Sequence, residues 1–182
     1  MHRKDLLDKI NNYSPEDNDE QLFRANFLEF ISNNKNCFER SLLKGHITGS
    51  AWIVNQTYDK ALLTHHRKLD KWLQLGGHAD GETDIIKVAK KEAKEESGLS
   101  NLRLLSEDIF DIDIHTIPER KGIPEHLHYD VRFLFQAVDH VPLLINHESK
   151  ALKWVPLKEL NQLIEGNRSI MRMVEKTAIY QQ

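Results

Sequence analysis

The stretch from Trp72 to Leu99, WLQLGGHADGETDIIKVAKKEAKEESGL, constrains the fold more than any other part of the chain. In its second half Ile85, Ile86, Val88, Ala89 and Ala93 recur at helical spacing, so an amphipathic helix is expected there. Thr83 is placed to cap its start, and Gly98 to end it in a left-handed conformation. Gly76 and Gly77, just ahead of it, read as a turn.

The charges on this helix are segregated. At about 100° per residue, Glu92, Glu95 and Glu96 share an arc of roughly 100° with Ile85, Val88 and Leu99, while Lys87, Lys90, Lys91 and Lys94 take the other side. Glu92 stands over Glu96, Lys87 over Lys91 and Lys90 over Lys94, which forgoes the Glu-to-Lys pairing that stabilises an exposed helix. Two of the glutamates also lie at the negative end of the helix dipole, where each costs ~0.3–1 kcal/mol. A cation should therefore complete the site. Clustered carboxylates suit a hard divalent ion, Mg2+ or Mn2+, whose remaining ligands come from water and phosphate.

These residues resemble the signature of the Nudix hydrolases, G-x5-E-x7-R-E-U-x-E-E-x-G-U, where U is a bulky apolar residue. Gly77 begins the pattern and Lys91-Glu92-Ala93-Lys94-Glu95-Glu96-Ser97-Gly98-Leu99 closes it with the spacing kept. Three positions depart. Lys91 replaces the arginine, exchanging a fixed fork for a flexible ammonium; Thr83 stands at the first glutamate, with Glu82 one residue earlier; and Ala93 is small for U. The E-x-x-E-E group is intact. The resemblance covers roughly residues 45 to 165 and implies an α+β fold of the α/β class: a mixed β-sheet sandwiched between helices, with an N-terminal helical extension. We expect the extension over residues 1–43 and the hydrolase domain over 44–182.

By family position Glu92, Glu95 and Glu96 are metal ligands, with the Gly77 carbonyl as a further one, and Lys91 orients a glutamate from behind. Glu95, bound near the metal, is the first candidate for the general base and Glu148 the runner-up, because some relatives carry an extra catalytic or metal-binding glutamate on a loop there; an ordinary loop carboxylate is the plain alternative for Glu148. The implied reaction is hydrolysis of the phosphoanhydride of a nucleoside diphosphate linked to another group, with a small-molecule nucleotide as partner. Two other readings stay open. One is a nucleotide sensor that has lost activity, toward which Thr83 and Lys91 are mild steps. The other is an isoprenoid diphosphate isomerase, which needs a catalytic cysteine.

The rest of the chain supports a soluble, cytoplasmic protein. Its 182 residues, 40% hydrophobic, suffice for one core. A net charge of -3 gives no basic footprint for duplex nucleic acid. Cys37 is the single cysteine, so no disulfide forms within the chain, and no apolar run has the length of a membrane span. Cys37 is expected to be buried and inert.

Two helices are expected between Asp5 and Phe38, broken at Ser14-Pro15, with Leu6, Leu7, Ile10, Leu22, Phe23, Phe27, Leu28 and Ile31 marking their apolar faces. They serve as a packing cap or, alternatively, as a homodimer or substrate-covering element. Gly45 to Val54 and Lys60 to His65 read as a hairpin. The basic run at His65, His66, Arg67, Lys68 and Lys71 is either a phosphate clamp or a solvated loop, and Trp72 either stacks on a base or packs. A strand is expected around Ile109 to Ile114. In HLHYDVRFLF the side chains of His126, His128, Asp130 and Arg132 share one face, and the last three are read as lining the substrate pocket. H-x-H also fits a transition-metal pair, but no further ligands are marked out. Lys150 to Val155 should form a last strand, and a helix from Arg168 to Tyr180 should close the core with Ile170, Met171, Val174 and Ile179.

Overall fold

A computed structural model describes residues 2–181. Its centre is an eight-stranded mixed sheet. Strand β1 (Gly45–Val54) is the hub and is buried along its whole length. It runs parallel to β7 (His126–Gln136), in a register that places His46 beside His128, Thr48 beside Asp130 and Ser50 beside Arg132. On its other side β1 is shared. Its middle, Thr48 to Ala51, pairs with β4 (Leu75–His78), and its last residue, Val54, pairs with Ala61 of β2 (Lys60–His66). Strand β2 continues outward to β3 (Lys71–Leu73) and β8 (Ser149–Pro156), while β7 carries β6 (Asp111–Ile117) and the short β5 (Arg103–Leu104). The sheet therefore opens like a fork where β2 and β4 part, next to the glycines that the sequence marked.

Those glycines are not in a turn, as expected, but in strand β4, where Gly76 and Gly77 pair with Ser50 and Gly49. Close approach, not a turn, demands them: a Cβ at Gly76 would meet Ser50 Oγ at 2.2 Å. The box helix, α3 (Ile85–Ser97), packs on β1 through Ile85 and Val88, and Gly49 provides the room. Its cap is Asp84, not Thr83: the Lys87 N–H donates to Asp84 Oδ1 at 3.1 Å, and the chain leaves the helix at Gly98 with φ of 73°. Asp84 wins because the residue in extended conformation just before the first helical turn is the one whose carboxylate can reach the free amides.

Helices α1 (Lys4–Asn12) and α2 (Asn18–Asn33) flank the Ser14-Pro15 break. Leu6, Ile10, Phe27, Phe30 and Ile31 belong to the same apolar cluster as Ile47, Val131 and Phe133 of the sheet. Phe30 stacks on Tyr129 of β7, centroids 3.9 Å apart and planes within 7°. Helix α2 also contacts β6, so it packs over the sheet beside Tyr129. Leu22, expected in the core, is 60% exposed; Glu20 is buried in its place for reasons given below. After β8 come a 3-10 turn, α4 (Leu160–Leu163) and α5 (Arg168–Thr177). Ile170 and Met173 of α5 are buried, but Ile179 lies beyond the helix and is exposed. No helix among the described residues is long and apolar enough to cross a membrane.

Candidate active site

The three glutamates of α3 do not share one environment. Glu96 is 7% exposed, and the Gly76 N–H donates to its Oε1 over a long 3.4 Å. Burial, together with the charges of Glu92 and Glu148, pushes its carboxyl up to about 8, although the Gly76 amide works in the opposite direction. Glu92 is mostly buried against Gly77, and burial raises its pKa too, opposed by Lys91. Glu95 is at the rim with its side chain 58% exposed. Lys91 Nζ sits 3.1 Å from Glu92 Oε1 and 3.5 Å from Glu95 Oε2, so this lysine bridges two of the box glutamates, and the segregation of charge expected along the helix is broken at this pair. Thr83 and Glu82 stand apart from the group. Glu82 accepts from the Thr83 and Asp84 N–H groups and pairs with Lys87, so it serves the helix start.

Glu148 precedes β8, and its influence on the same place is electrostatic. Its charge acts on Glu92, Glu96, His66 and His78, and its backbone carbonyl accepts from the Arg67 N–H at 2.8 Å. Glu92 and Glu96 thus sit against the backbone of Gly77 and Gly76, feel the charge of Glu148, and hold protons more tightly than ordinary glutamates. That donor set, oxygen-rich, partly buried and with excess negative charge, fits a hard divalent cation.

The basic run before the box divides by role. Arg67, read as part of a phosphate clamp, commits two of its guanidinium nitrogens to chain carbonyls: Nε donates to His147 O at 3.0 Å and Nη2 to Ser149 O at 2.9 Å. It fastens the Glu148 loop. Lys68 is exposed, and its charge, like that of Glu148, acts on His66. Trp72 is half-buried and stacks on His65 at 5.0 Å, a packing role.

Asp130 and Arg132 do not line a pocket. Arg132 is 2% exposed and ties together Asp130 (2.8 Å), Asp111 (2.9 Å) and Asp113 (3.3 Å). Asp130 accepts from Thr48, Ser50 and Gln74 as well. Arg172 and Lys176 of α5 join Asp111 at 2.7 and 2.8 Å, and both reach Glu20 of α2, at 3.0 and 2.7 Å. Lys176 Nζ also donates to Tyr13 Oη. The polar strand face read as a substrate wall is thus an interior ion network that joins the N-terminal helices and α5 to the sheet. Charges this buried persist only when paired.

His128 is on that same face but one step toward the box, and the long-range pairing gives it neighbours invisible in sequence. His46 lies next to it on β1, and His78 follows the glycine pair on β4. Burial and the charges of neighbouring histidines lower both His46, to about 4, and His128, to about 2. Among the described residues, the side chains whose ligating atoms lie within 4.8 Å of one another are these three histidines and not the three glutamates. The histidine after Gly-Gly was the available signal for His78; nothing in sequence singled out His46. Cys37 is fully buried, and burial pushes its thiol up to about 11, so it is inert as expected and cannot serve as an isomerase acid.

A family model described as NUDIX domain matches residues 46–175. Among solved structures, the binary complex of a C. elegans Ap4A hydrolase is similar with a TM-score of 0.59 at 19% identity, covering 74% of this chain and 96% of that one. A hydrolase of the NUDIX family from Clostridium perfringens is 29% identical with a TM-score of 0.52, over 74% of this chain and 97% of that one. The E. coli dihydroneopterin triphosphate pyrophosphohydrolase gives a TM-score of 0.57 at 14% identity, over 73% and 95%. Comparison with curated proteins returns no match.

Proposed function

The chain belongs to the NUDIX family and is a hydrolase of phosphorus-containing anhydrides, and on that footing we propose that it is a divalent-cation-dependent pyrophosphohydrolase of nucleoside diphosphates linked to a second group. The observation that carries this reading is Glu96: a carboxyl nine-tenths buried, whose proton affinity is raised by burial and by two further carboxylates, has a clear use only if a cation takes the proton's place.

Glu92 and Glu96 would hold the cation, with Glu95 joining from the rim and the Gly77 carbonyl behind them. Mg2+ is the ion we favour, with Mn2+ as its substitute, because every donor is oxygen. Such an ion neutralises the diphosphate charge and acidifies the attacking water. The chain's own residues do the rest. Lys91 fixes the carboxylate of Glu92 and restrains Glu95, the task the family gives to an arginine. Glu148 is the favoured general base over Glu95: its charge acts on Glu92 and Glu96 from another part of the chain, and its side chain is 41% exposed, within reach of solvent. Arg67 keeps that loop in place, and Lys68 offers a cation to the outer phosphate.

The diphosphate and cation are handled by these residues whatever the second group is, so the leaving group is set elsewhere. The test is a substrate panel read by product mass, with Mg2+ and with Mn2+. It would include nucleotide sugars, dinucleoside polyphosphates such as Ap4A and pterin triphosphates, the last two being the substrates that the names of similar structures carry. Cation-dependent cleavage at an anhydride is expected for at least one class. Tight nucleotide binding without turnover under either ion would favour the sensor reading instead.

A further inference from the structure

His46 of β1, His128 of β7 and His78 of β4 stand on one face of three adjacent strands with their rings turned toward one another. Ring centroids are 4.8 Å apart for His46 and His128, and 5.0 Å for each of the other two pairs. Each contributes a ring nitrogen to a set whose members all lie within 4.8 Å. His46 is 3% exposed, yet neither of its ring nitrogens makes a well-formed hydrogen bond among the described residues, although the Leu42 backbone acts on its ring, and His128 Nε2 has no partner either. A structural histidine hands its N–H to an acceptor, as His115 does to Asp113 at 3.2 Å and His126 to the Pro124 carbonyl at 2.8 Å. Two members of the trio depart from that rule at one point.

We propose that His46, His78 and His128 form a second metal site, for a divalent transition ion of the zinc class, distinct from the carboxylate site on α3. Imidazole nitrogens without a carboxylate suit zinc, cobalt or nickel and not Mg2+. Ligand nitrogens around a tetrahedral zinc are about 3.3 Å apart, so small rotations of the rings close the set onto an ion. The scaffold is rigid where it matters, because the ligands come from paired strands and not from loops. His126 is the candidate fourth ligand. Its ring is 5.0 Å from His46 and 5.3 Å from His128, and its Nδ1 is already tied to Pro124, which leaves Nε2 free to turn inward. The site does not rest on the hydrolase reading.

The experiment is a Co2+ titration of the metal-stripped full-length protein in excess Mg2+, which fills oxygen sites, followed by visible absorption. One equivalent of Co2+ should give the d–d band of nitrogen ligation, and Zn2+ should bleach it. The band should be lost, with affinity down at least 100-fold, in His78→Asn and in His128→Asn, and should persist in a Glu92→Gln, Glu96→Gln double variant. Folding of each variant is followed by circular dichroism; His78 is only half-buried and is the safer of the two. A wild-type protein that binds no Co2+ under these conditions overturns the site, as does a band that survives His78→Asn or disappears with the glutamates. Because Mg2+-dependent turnover is measured separately on the stripped protein, failure here leaves the hydrolase reading standing, and the reverse.

Discussion

The backbone of Gly77 lies against the carboxylate of Glu92 so closely that a Cβ at position 77 would fall 2.4 Å from Glu92 Oε2 and 2.6 Å from Cδ. A box glutamate is thus held in place by the absence of a side chain on the strand beneath it. Gly77→Ala should swing Glu92 out and raise the Mg2+ concentration needed for half-maximal turnover by about 10–100-fold, the range for losing a group that orients a ligand. The fold should survive, since the clash is with a side chain that has the rim to move into. Mg2+ titrations of initial rate, with thermal melts alongside, check this; an unchanged Mg2+ requirement would detach Glu92 from the cation.

Cation binding should depend on pH through Glu96. With its carboxyl pushed up to about 8, this group is mostly protonated at neutral pH and must lose its proton to act as a ligand. Mg2+ affinity should therefore rise with pH up to about 8, by as much as tenfold per pH unit, and level off above. The sign for stability is opposite. A raised carboxyl costs nothing below its unfolded value near 4.5, and stability is lost as pH rises toward 8 while the cation is absent. Calorimetric Mg2+ titrations in two buffers of different ionisation heat should reveal proton release at pH 7.

Much of the fold was legible because local chemistry and long-range packing agreed. Gly45–Val54 alternates and is β-rich, α3 carries its periodicity and its terminal glycine, and Ser14-Pro15 divides two amphipathic segments. The misreadings share a cause. Gly76 and Gly77 look like a turn in sequence, but they are glycines because Ser50 and Glu92 sit where side chains would go. Asp130 and Arg132 look like a binding wall, but Asp111, Asp113, Arg172 and Lys176 arrive from other elements to bury them. Likewise His128 had no marked partners until β1 brought His46 alongside. Pairings across 80 residues leave no trace in a local window.

Arg132 provides a sharp contrast with the cation site. Arg132→Ala leaves Asp111, Asp113 and Asp130 buried without their shared partner and should cost roughly 3–5 kcal/mol of stability. Arg132→Met, which keeps the volume, cannot restore the pairing either. Burial opposes charge on Asp113, but the guanidinium of Arg132, with His115, holds its pKa well below the usual range. A depressed carboxyl stabilises the fold above its unfolded value near 4 and loses that contribution as pH falls below it. Urea midpoints between pH 3 and 7 should therefore drop steeply at the acid end in the wild type and less in the variant. An equally steep drop in both would remove Arg132 from that role.

We also propose that the N-terminal helices, outside the matched family range, are needed for folding. Glu20 and Tyr13 complete the pairing of Arg172 and Lys176, and Phe30 covers Tyr129. Removing residues 1–43 strips these at once and should yield an aggregated or molten chain. Size-exclusion chromatography and near-ultraviolet dichroism decide it; a folded monomer melting within a few degrees of the full chain would make the helices a separate addition.

The central claim is that the carboxylates gathered at the end of α3 hold the cation on which anhydride cleavage depends. Its most direct test is Mg2+-dependent turnover of Glu96→Gln against wild type on the best substrate of the panel. The change keeps shape and buried volume and removes the charge, so the melting temperature should hold or rise in the absence of metal while turnover falls at least about 100-fold. A variant that folds and cleaves at the wild-type rate, with the same Mg2+ requirement, would contradict the account.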